Sequence, residues 1–450
     1  MGSNGDNRTH VPLTGADCFL RAFDAEIQRT SAANHVSQLV LRLGPGFDVE
    51  LFRKLIEQVT HAQPIVRAPI GRRFGVAGPV FRVSDAARAP APKLNVIDVE
   101  AAAPDDAALP GALAAPINLR MNASRGELLR FDAIRYAGGA AGTDLAASWI
   151  HMLLDGSGSE TFMGWLDACY RGECSPTQLP CPDEFDPLEP SELTLRQRGD
   201  AARTWQKSLS EFASAPPRSL SGPLCRIPQS LRYELLTLSP EQTRVAVARA
   251  TELAGFMTPM PFYLAATIRA HAAVFRARGV DPGSFVVPLP VDLRPRGAAR
   301  AMFRTHVSLI WFQVQVDQTR DLDELIGHLK QQRLAAIKAG QVENAVHAME
   351  FARFAPKRVY THMARRDFKG ELCSFFFAFT GDFMKDVDSF LGAEIWNGFH
   401  VAPVPPSPGS CIAMSLRGDR LNATHVYQAS SVSDKEREIL REQLLRDLLG

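Results

Sequence analysis

The sequence predicts a mixed α/β fold in which helices and strands form layers, the α+β layered class. Apolar runs that alternate as strands do are interspersed with segments whose apolar residues recur every three or four positions, as on a helix face. Two stretches repeat the order of a strand followed by a capped helix, one near residue 40 and one near residue 235. Since 450 residues are too many for one ordinary core, we expect two domain-sized halves.

The first of these strand and helix units follows the polar N-terminus. Residues 35–43 (HVSQLVLRL) nearly alternate between apolar and polar and predict a strand. Asp48 can then cap a helix whose apolar stripe continues to Val59. Residues 64–70 (PIVRAPI) predict the next extended segment.

The second unit begins with residues 231–238 (LRYELLTL), which alternate as a strand. Ser239 and Gln242 have the spacing of a capping box, so a helix is expected to follow as far as Leu253. The remaining predicted elements are helices at 261–278, at 322–338 and after the capping box of Ser433 and Glu436, and strands in SFVVPLPVDL, HVSLIWFQVQV and LCSFFFAFTGDF.

A linker between the halves is predicted from composition. Residues 213–228 (ASAPPRSLSGPLCRIP) are rich in proline, serine and glycine, and they have no apolar periodicity. The predicted domains are therefore 1–212 and 229–450, joined by this linker.

Composition and charge argue against several classes of partner. Hydrophobic residues make up 46% of the chain and charged residues 22%, as in globular proteins. The formal net charge of +1 provides no field for nucleic acid, and no run approaches the roughly 18 apolar residues of a membrane span. The seven cysteines form no C-x2-C pair around Cys169, Cys174 and Cys181. We therefore expect reduced thiols in a cytoplasmic protein without a metal site.

One apolar run is interrupted by residues that are costly to bury. In residues 145–156 (LAASWIHMLLDG), a strand-like stretch contains His151 and ends on Asp155 and Gly156. Ser157 begins a possible capping box, so a helix is expected there, and its unpaired N–H groups could stabilise an oxyanion. Gly156 would permit the turn and a close approach to substrate. The alternative is structural, with His151 as a core histidine and Asp155 as a helix cap.

The order H-x-x-x-D-G ahead of a capped helix resembles the signature of the acyltransferase superfamily built on the chloramphenicol acetyltransferase fold. That superfamily includes condensation domains of peptide synthetases, plant BAHD acyltransferases, wax ester synthases and polyketide-associated acyltransferases. Further stretches resemble its other segments in the expected order: PLTGADCFLRAFD, LFRKLIEQVTHAQPIVRAPI, GFMTPMPFYLAATIRA, VPLPVDLRPRG, HVSLIWFQV and FFFAFTGD. The resemblance implies two chloramphenicol acetyltransferase-like subdomains that form a V-shaped pseudo-dimer, with the active site in a tunnel between them.

The resemblance also implies roles for the motif residues. His151 would be the general base, and Gly156 would bring its backbone close to the substrate. Asp155 would point away from the substrate and form a structural salt bridge with Arg294 of the other half; Arg296 is a poorer partner, because the family arginine directly follows the strand. The residues expected along the substrate tunnel, for whose aromatic members a place in the core is the alternative, are Trp149, Ser157, His306, Phe377, Phe379 and Gly381.

By the same resemblance, the reaction moves an acyl group from a thioester to a small-molecule hydroxyl or amine acceptor, and no permanently bound cofactor is expected. The donor is either acyl-coenzyme A or an acyl chain on the phosphopantetheine arm of an acyl or peptidyl carrier protein. Residues 357–369 (KRVYTHMARRDFK) could contact the phosphates or an acidic carrier helix. We expect a cytoplasmic monomer of bacterial-type secondary metabolism.

Three departures from the family pattern leave alternatives open. Ile150 stands where condensation domains and wax ester synthases usually have the first of two histidines, residues 378–381 (AFTG) replace the usual Ser-Asn-x-Gly floor, and His306 stands where relatives often have asparagine. One alternative is a free-standing condensation-type enzyme that acts on carrier-bound substrates. The other is a non-catalytic binding module on the same fold. The retained motif favours an enzyme, since a binding module needs neither the base nor the ion pair.

Overall fold

The computed structural model describes residues 8–450 apart from 32, 73–77, 85–90, 102, 182–183, 185–193, 222–229, 257 and 296–299. The strands are β1 (Arg8–Pro12), β2 (Val36–Leu43), β3 (Ile70–Arg72), β4 (Pro79–Ser84), β5 (Lys93–Val99), β6 (Leu129–Tyr136), β7 (Thr143–Ile150), β8 (Leu231–Thr237), β9 (Ser284–Asp292), β10 (Val307–Gln315), β11 (Phe376–Asp382), β12 (Ser389–Phe390), β13 (Ala393–Val401), β14 (Ser410–Arg417) and β15 (Arg420–Gln428). The helices are α1 (Gly15–Thr30), α2 (Val49–Ala62), α3 (Leu109–Asn118), α4 (Gly156–Tyr170), α5 (Leu195–Glu211), α6 (Pro240–Ala254), α7 (Met260–Arg278), α8 (Leu322–Lys338), α9 (Gln341–Ala352), α10 (Lys357–Arg366) and α11 (Asp434–Leu449). Helices and strands are mixed in both halves, which confirms the predicted class.

Two larger sheets form the framework of the described chain. The N-terminal half is built on a six-stranded sheet of order β12-β13-β2-β7-β6-β5, and the C-terminal half on a four-stranded sheet of order β11-β14-β15-β8. Both are mostly antiparallel, but β5 pairs with β6, and β11 with β14, in the parallel sense. The smaller sheets are β1-β4-β3 and the pair β10-β9. The predicted active-site strand, β7, is therefore an interior strand of the larger sheet.

The six-stranded sheet contains strands from both halves of the chain. By sequence β12 and β13 belong to the C-terminal half, yet β13 pairs with β2 of the N-terminal half, with Phe399 opposite Val40. Phe390 of β12 also lies in the core of the N-terminal sheet. The sheet therefore crosses the division predicted at residues 213–228, of which 222–228 lie outside the described residues.

Helix starts follow the predicted local chemistry in most places. Asp48 accepts hydrogen bonds from two backbone amides at the start of α2, and Ser239 and Ser433 form the predicted capping boxes of α6 and α11. The extended segment predicted at 64–70 is wrong for its first part, which is a 3-10 turn over Pro64–Arg67. Proline at the first position fixes φ near the helical value and favours such a turn.

The longest helix, α7, is the central helix of the C-terminal half. Fourteen of its 19 residues are buried, and it packs against α6, α8 and α11. Its burial on most sides explains an apolar composition without a strong amphipathic pattern. Among the helices of the described ranges, none is both long and apolar enough to cross a membrane.

Candidate active site

The turn at residues 151–155 follows β7 and carries the predicted motif. All eight residues of β7 are buried, and its pairing with β2 ends at Ile150 opposite Val36. The backbone amide of His151 continues this pairing by donating to the carbonyl oxygen of His35 at 3.1 Å. The turn thus begins on a strand end inside the core, and this fixes the position of the His151 backbone.

The His151 side chain is held in one tautomer by the turn itself. Its Nδ1 lies 3.2 Å from the carbonyl oxygen of Leu154, which also accepts a 2.7 Å hydrogen bond from the Trp149 indole. Because a carbonyl can only accept, Nδ1 carries the proton and Nε2 has the free lone pair. Burial lowers the pKa of His151 below its ordinary 6.5, although the nearby Asp155 charge opposes this. At neutral pH the imidazole is therefore uncharged.

Asp155 is buried at the centre of a hydrogen-bond network. Arg294 Nη1 donates to Oδ2 at 3.0 Å, and Nη2 lies 2.9 Å from Oδ1. The amides of Gly158 and His306 donate to Oδ1 and Oδ2, each at 2.8 Å. Burial raises the pKa of Asp155, but the charge and hydrogen bonds of Arg294 outweigh that effect and lower it. Asp155 therefore forms the salt bridge with Arg294 and also caps α4. The two roles that the sequence suggests for this residue do not exclude each other.

Arg294 reaches the motif from the C-terminal half, directly after β9. Its side chain is 3% exposed, its Nε donates to the carbonyl oxygen of Ala301 at 2.7 Å, and Nη1 lies 3.1 Å from Asp292 Oδ1. Burial lowers the pKa of Arg294, but the adjacent charge of Asp155 has the larger, opposite effect. The pKa is therefore raised, and the guanidinium stays charged. Arg296, the poorer candidate, lies outside the described residues.

A second segment of the C-terminal half, residues 302–306, binds the turn through a backbone amide and a side-chain hydroxyl. The amide of Arg304 donates to the carbonyl oxygen of Leu153 at 2.7 Å, and Thr305 Oγ1 donates to that of His151 at 3.4 Å. Together with Arg294, this segment ties the turn to the opposite half at several points. Sequence reasoning missed these bonds, because both end on backbone carbonyl oxygens, which leave no signature in residue identities.

Helix α4 begins earlier than predicted. Asp155 is its N-cap and Gly156 its first residue, because the Asp155 carboxylate satisfies an amide of the first turn. The capping box predicted for Ser157 and Glu160 is therefore wrong. Glu160 instead accepts a 2.9 Å hydrogen bond from the amide of Met384, beyond β11, and burial raises its pKa to about 7.

The glycine that the packing requires is Gly158, which sequence reasoning missed. Gly156 does not have a positive φ, so the prediction that its backbone freedom makes the turn is wrong. A Cβ at Gly156 would approach only Thr380, at 3.9 Å, and the space beside this backbone stays open to a substrate. A Cβ at Gly158 would instead overlap the carbonyl oxygen of Met302. Close contact between α4 and residues 302–306 therefore depends on Gly158.

We expect Gly158→Ala to destabilise the protein by about 1–3 kcal/mol, because backbone on both sides of the new methyl must move. The matched control is Gly164→Ala in the same helix, where a Cβ would meet only Val387, at 3.7 Å. That substitution should be neutral or stabilising by up to about 1 kcal/mol. Denaturant unfolding measures both, and equal effects of the two substitutions would contradict the assigned contact.

The six residues expected along the tunnel occupy different environments. Trp149 and Phe377 are each 1% exposed and lie in the cores of the N-terminal and C-terminal halves. The prediction that these two line a tunnel is therefore wrong, because neither presents surface to a channel. His306 is 8% exposed, and its Nε2 lies 3.0 Å from the carbonyl oxygen of Phe303. Its backbone amide donates to Asp155.

The other three expected tunnel residues are partly exposed. Ser157 is in the first turn of α4, and Phe379 and Gly381 are near the end of β11. Phe379 stacks on Tyr263 with ring centroids 4.6 Å apart, and Gly381 has a φ of +74°, which only glycine adopts easily. Thr380 between them approaches Gly156, which brings the β11 end close to the start of α4. These residues stay candidates for substrate contact.

Two further histidines lie beside the motif, and sequence reasoning missed both. The His35 ring stacks on that of His151, with centroids 5.3 Å apart and planes 16° apart. His400 Nε2 lies 3.2 Å from Ser159 Oγ in the first turn of α4. Burial lowers the pKa of His35 well below its ordinary value and that of His400 to about 4. Both are therefore uncharged neighbours, and no local pattern in the sequence indicates them.

The fold is shared by proteins of known structure along almost the whole chain, although no protein-family model and no curated protein sequence matches it. The first condensation domain of the calcium-dependent antibiotic synthetase, in complex with a substrate analogue, has a TM-score of 0.71 at 14% identity, covering 98% of this chain and 96% of that one. Trichothecene 15-O-acetyltransferase of Fusarium sporotrichioides has 0.72 at 13%, covering 100% and 96%. The starter condensation domain of rhizomide synthetase, in complex with C8-CoA and Leu-SNAC, has 0.66 at 15%, covering 98% and 94%.

These likenesses define the class of fold. The chain has the mixed α/β fold of condensation domains and of chloramphenicol acetyltransferase-like acyltransferases, as the motif and the ordered segments predict. Within this fold the motif residues lie together at the N-terminus of α4, where both halves of the chain meet.

Proposed function

We propose that this protein is an acyltransferase that moves an acyl group from a thioester donor to a hydroxyl or amine acceptor, with His151 as the general base. The observation that carries the proposal is the uncharged imidazole, whose Nδ1 is bonded to the Leu154 carbonyl and whose Nε2 has no hydrogen-bond partner in the described part of the chain. The fold supports the same class of reaction, since an acetyltransferase and condensation domains share it.

In this proposal Nε2 of His151 removes the proton from the acceptor as its oxygen or nitrogen attacks the thioester carbonyl. The carbonyl π electrons move to oxygen and give a tetrahedral oxyanion. Collapse of this intermediate breaks the carbon–sulfur bond, and the departing thiolate takes the proton from the imidazolium. The products are an ester or amide and a free thiol, and His151 is uncharged again. No acyl-enzyme forms, because the acceptor attacks the donor directly.

The N-terminus of α4 supplies electrostatic stabilisation in this scheme. Gly156 and Ser157 provide the first two amides of the helix, and such amides have no acceptor within it. The helix end also carries a partial positive charge of about half a unit. The Asp155 carboxylate would repel an oxyanion, but Arg294 neutralises it. The open space beside Gly156 is where a substrate carbonyl would approach these amides.

The experiment that tests this function is an assay for free thiol. The protein is incubated with acyl-coenzyme A thioesters of graded chain length, each with a set of alcohols and amines, and thiol release is followed with a chromogenic thiol reagent. Release that depends on both donor and acceptor, with an acylated acceptor detected by mass spectrometry, is the expected result. Absence of acceptor-dependent release from both coenzyme A and carrier-bound thioesters would favour the non-catalytic binding module.

For the donor, we propose that a phosphate-bearing pantetheine thioester binds at a cluster of cations on α1, β3 and α10. Burial lowers the pKa of Lys357, and the charges of Arg21 and Arg72 lower it further, while the charge of Asp24 acts in the opposite direction. Burial and Arg72 act in the same direction on Arg21. The three positive charges outnumber the one negative charge of Asp24, and a phosphate anion would relieve the repulsion that remains. The cluster includes the first residue of the segment 357–369, which the sequence suggests for phosphate or carrier contact.

Lys357→Gln should raise KM for an acyl-coenzyme A about fivefold, because one charge-assisted phosphate contact is lost. KM for the matching N-acetylcysteamine thioester, which has no phosphate, should stay unchanged, and kcat should change little for both. Lys435→Gln, at an exposed position in α11, is the matched control. Equal increases in KM for both thioesters would contradict phosphate binding at this cluster.

A condensation-type reaction that joins a carrier-bound acyl group to an amine is the second candidate. What favours it is that most of the structures described above are condensation domains, one of them in complex with C8-CoA and Leu-SNAC. It requires the same base and the same attack on a thioester carbonyl, so only the donor and the acceptor distinguish it from a coenzyme A-dependent O-acyltransferase. Mass spectrometry of candidate carrier proteins mixed with this chain separates carrier-bound from free donors.

A further inference from the structure

Two cysteines meet at the C-terminal end of α4, the helix that begins at the motif. Cys169 Sγ and Cys174 Sγ lie 3.1 Å apart, and both thiols are free and partly exposed. A disulfide bond is about 2.05 Å long, so the two sulfur atoms need to approach each other by only about 1 Å. At 1.5 Å per residue the pair is about 20 Å from the start of α4, so the proposed acyl transfer does not use it.

The backbone at the end of α4 brings the two thiols together. The Gly172 amide donates to the Cys169 carbonyl oxygen at 3.1 Å, and Gly172 has a φ of +75°. The Glu173 amide donates to the Ala168 carbonyl oxygen at 2.9 Å. These two bonds and the left-handed glycine are the Schellman motif of a helix C-terminus, which turns the chain back onto the last helical turn. The position of Cys174 beside Cys169 is therefore fixed by the backbone.

The chain after Cys174 is held on two sides. The Trp165 indole of α4 donates to the Gln178 carbonyl oxygen at 2.9 Å. Gln63, at the end of α2, donates from Nε2 to the Pro176 carbonyl oxygen, also at 2.9 Å. Since both thiols are confined before any bond forms, joining them orders little additional chain and the effective concentration of one at the other is high.

The hydrogen bonds give the two thiols different roles. Cys174 Sγ donates to the Trp165 carbonyl oxygen at 3.9 Å, so the hydrogen between the two sulfur atoms comes from Cys169. Burial raises the pKa of Cys169 to about 12, and the contact with Cys174 acts in the same direction, so Cys169 stays a thiol at neutral pH. A thiol that donates to a neighbouring sulfur stabilises the thiolate form of that neighbour. Cys174 is therefore the sulfur that reacts first.

We propose that Cys169 and Cys174 form a reversible redox site, at which a peroxide converts the two thiols into a disulfide. The Cys174 thiolate attacks one oxygen of hydrogen peroxide, the O–O bond breaks, and a sulfenic acid forms as hydroxide leaves. The Cys169 sulfur displaces the sulfenic hydroxyl, which takes the Cys169 proton and leaves as water. Two thiols and one hydrogen peroxide thus give one disulfide and two waters, and a dithiol reductant reverses the change.

Among the described cysteines, the pair has the environment best suited to oxidation. Three others, Cys18, Cys373 and Cys411, are buried, and burial raises the pKa of each thiol, which suppresses the reactive thiolate. In the described part of the chain, no group of three or more histidine, cysteine, aspartate or glutamate side chains could hold a metal ion. The pair therefore lacks the further ligands of a metal site.

Peptide mapping after peroxide treatment tests the proposal. Arg171 separates the two cysteines, so trypsin gives the peptides 136–171 and 172–196, which stay linked only through a disulfide. The reduced full-length protein is treated with a small excess of hydrogen peroxide, free thiols are alkylated, and the digest is analysed by mass spectrometry with and without dithiothreitol. Linked peptides that dithiothreitol separates are the expected result.

Three serine variants identify the cysteines in the bond and their roles. Cys181→Ser is the matched control, because Cys181 is partly exposed and lies on the same tryptic peptide as Cys174. The linked peptides should persist in Cys181→Ser and be lost in Cys174→Ser. In Cys169→Ser, dimedone should trap a sulfenic acid at Cys174, with about tenfold more adduct than Cys169 gives in Cys174→Ser.

The remaining outcomes would count against the redox site. Linked peptides that survive in Cys174→Ser but not in Cys181→Ser would place the bond at Cys181. Equal dimedone adducts in Cys169→Ser and Cys174→Ser would contradict the assigned order of reaction. Recovery of both cysteines of the wild type as alkylated thiols, or of Cys174 as a sulfinic acid without linked peptides, would overturn the proposal outright. None of these outcomes depends on acyl transfer, since each is read on the cysteines themselves.

Discussion

His151→Ala should reduce thiol release about 10³-fold in kcat while leaving the fold intact. General base catalysis by a positioned side chain is worth about 10²–10⁴-fold, and Nε2 of His151 is the free base of the motif. Among the described residues the imidazole makes one hydrogen bond, to the Leu154 carbonyl, which also keeps its bond from Trp149. Its removal therefore leaves no unpaired acceptor, and the melting temperature should change little.

The matched control is His61→Ala, an exposed histidine in the last turn of α2. It should retain wild-type turnover, so that loss of a histidine in general is separated from loss of the base. Release of thiol by His151→Ala at the wild-type rate would show that the base is wrongly assigned. His35, stacked 5.3 Å away, would then be the next candidate.

If His151 is the base, the pH dependence of wild-type turnover follows from the same environment. Burial lowers the pKa of His151 below 6.5, and a lower pKa means that more of the imidazole is uncharged at a given pH. kcat/KM should therefore be level through neutral pH, and its decline on the acid side should lie below pH 6.5. This acid limb belongs to the free enzyme, since kcat/KM reports on the groups of the free enzyme.

The local features of this fold could be predicted because their causes are local. The capping boxes at Ser239 and Ser433 and the helix after Asp48 require only residues within one turn of each other. His151 and Asp155 could be located for a similar reason, as polar residues within an apolar stretch of the sequence, although the strand itself ends at Ile150. Their proposed roles rest on resemblance, because spacing alone is explained as well by a core histidine and a helix cap.

The features that sequence reasoning missed depend on residues far apart in the chain. The pairing of β13 with β2 joins residues more than 300 positions apart, and either strand could alternate in the same way beside other partners. Gly158 is required only because Met302 arrives from the other half. His35 and His400 likewise become neighbours of the motif through sheet pairing. The wrong prediction of where α4 begins has a local origin. Both Asp155 and Ser157 are good N-cap residues, and the helix can use only one of them.

Arg294→Met should destabilise the protein by about 3–5 kcal/mol and lower turnover as well. The substitution leaves Asp155 as a buried charge with only the amides of Gly158 and His306 as partners, and such a charge is costly. The lost contact also frees the turn that positions His151. Arg203→Met, which removes an exposed ion pair with Asp200 in α5, is the control and should cost no more than about 1 kcal/mol.

A double-mutant cycle with Asp155→Asn isolates the pair from its surroundings. Asp155→Asn keeps an oxygen that can cap α4, and Arg294 keeps Asp292 as a partner, so this single change should cost less than Arg294→Met. The double variant should be more stable than the sum of the single changes predicts, because no unpaired buried carboxylate is left. Additive costs would mean that the two side chains do not interact energetically, despite their 2.9–3.0 Å contacts.

Acid titration of unfolding distinguishes this charge pair from simple packing. Since Arg294 lowers the pKa of Asp155 in the folded state below its ordinary 3.8, the pair stabilises the protein above that pH and is lost as the pH falls through the lower, folded-state pKa. The difference in unfolding free energy between wild type and Arg294→Met should therefore be constant near neutral pH and shrink at acid pH. If this difference in unfolding free energy stays constant down to the acid transition, Arg294 stabilises the turn by its volume alone. The link between the two halves would then not be electrostatic.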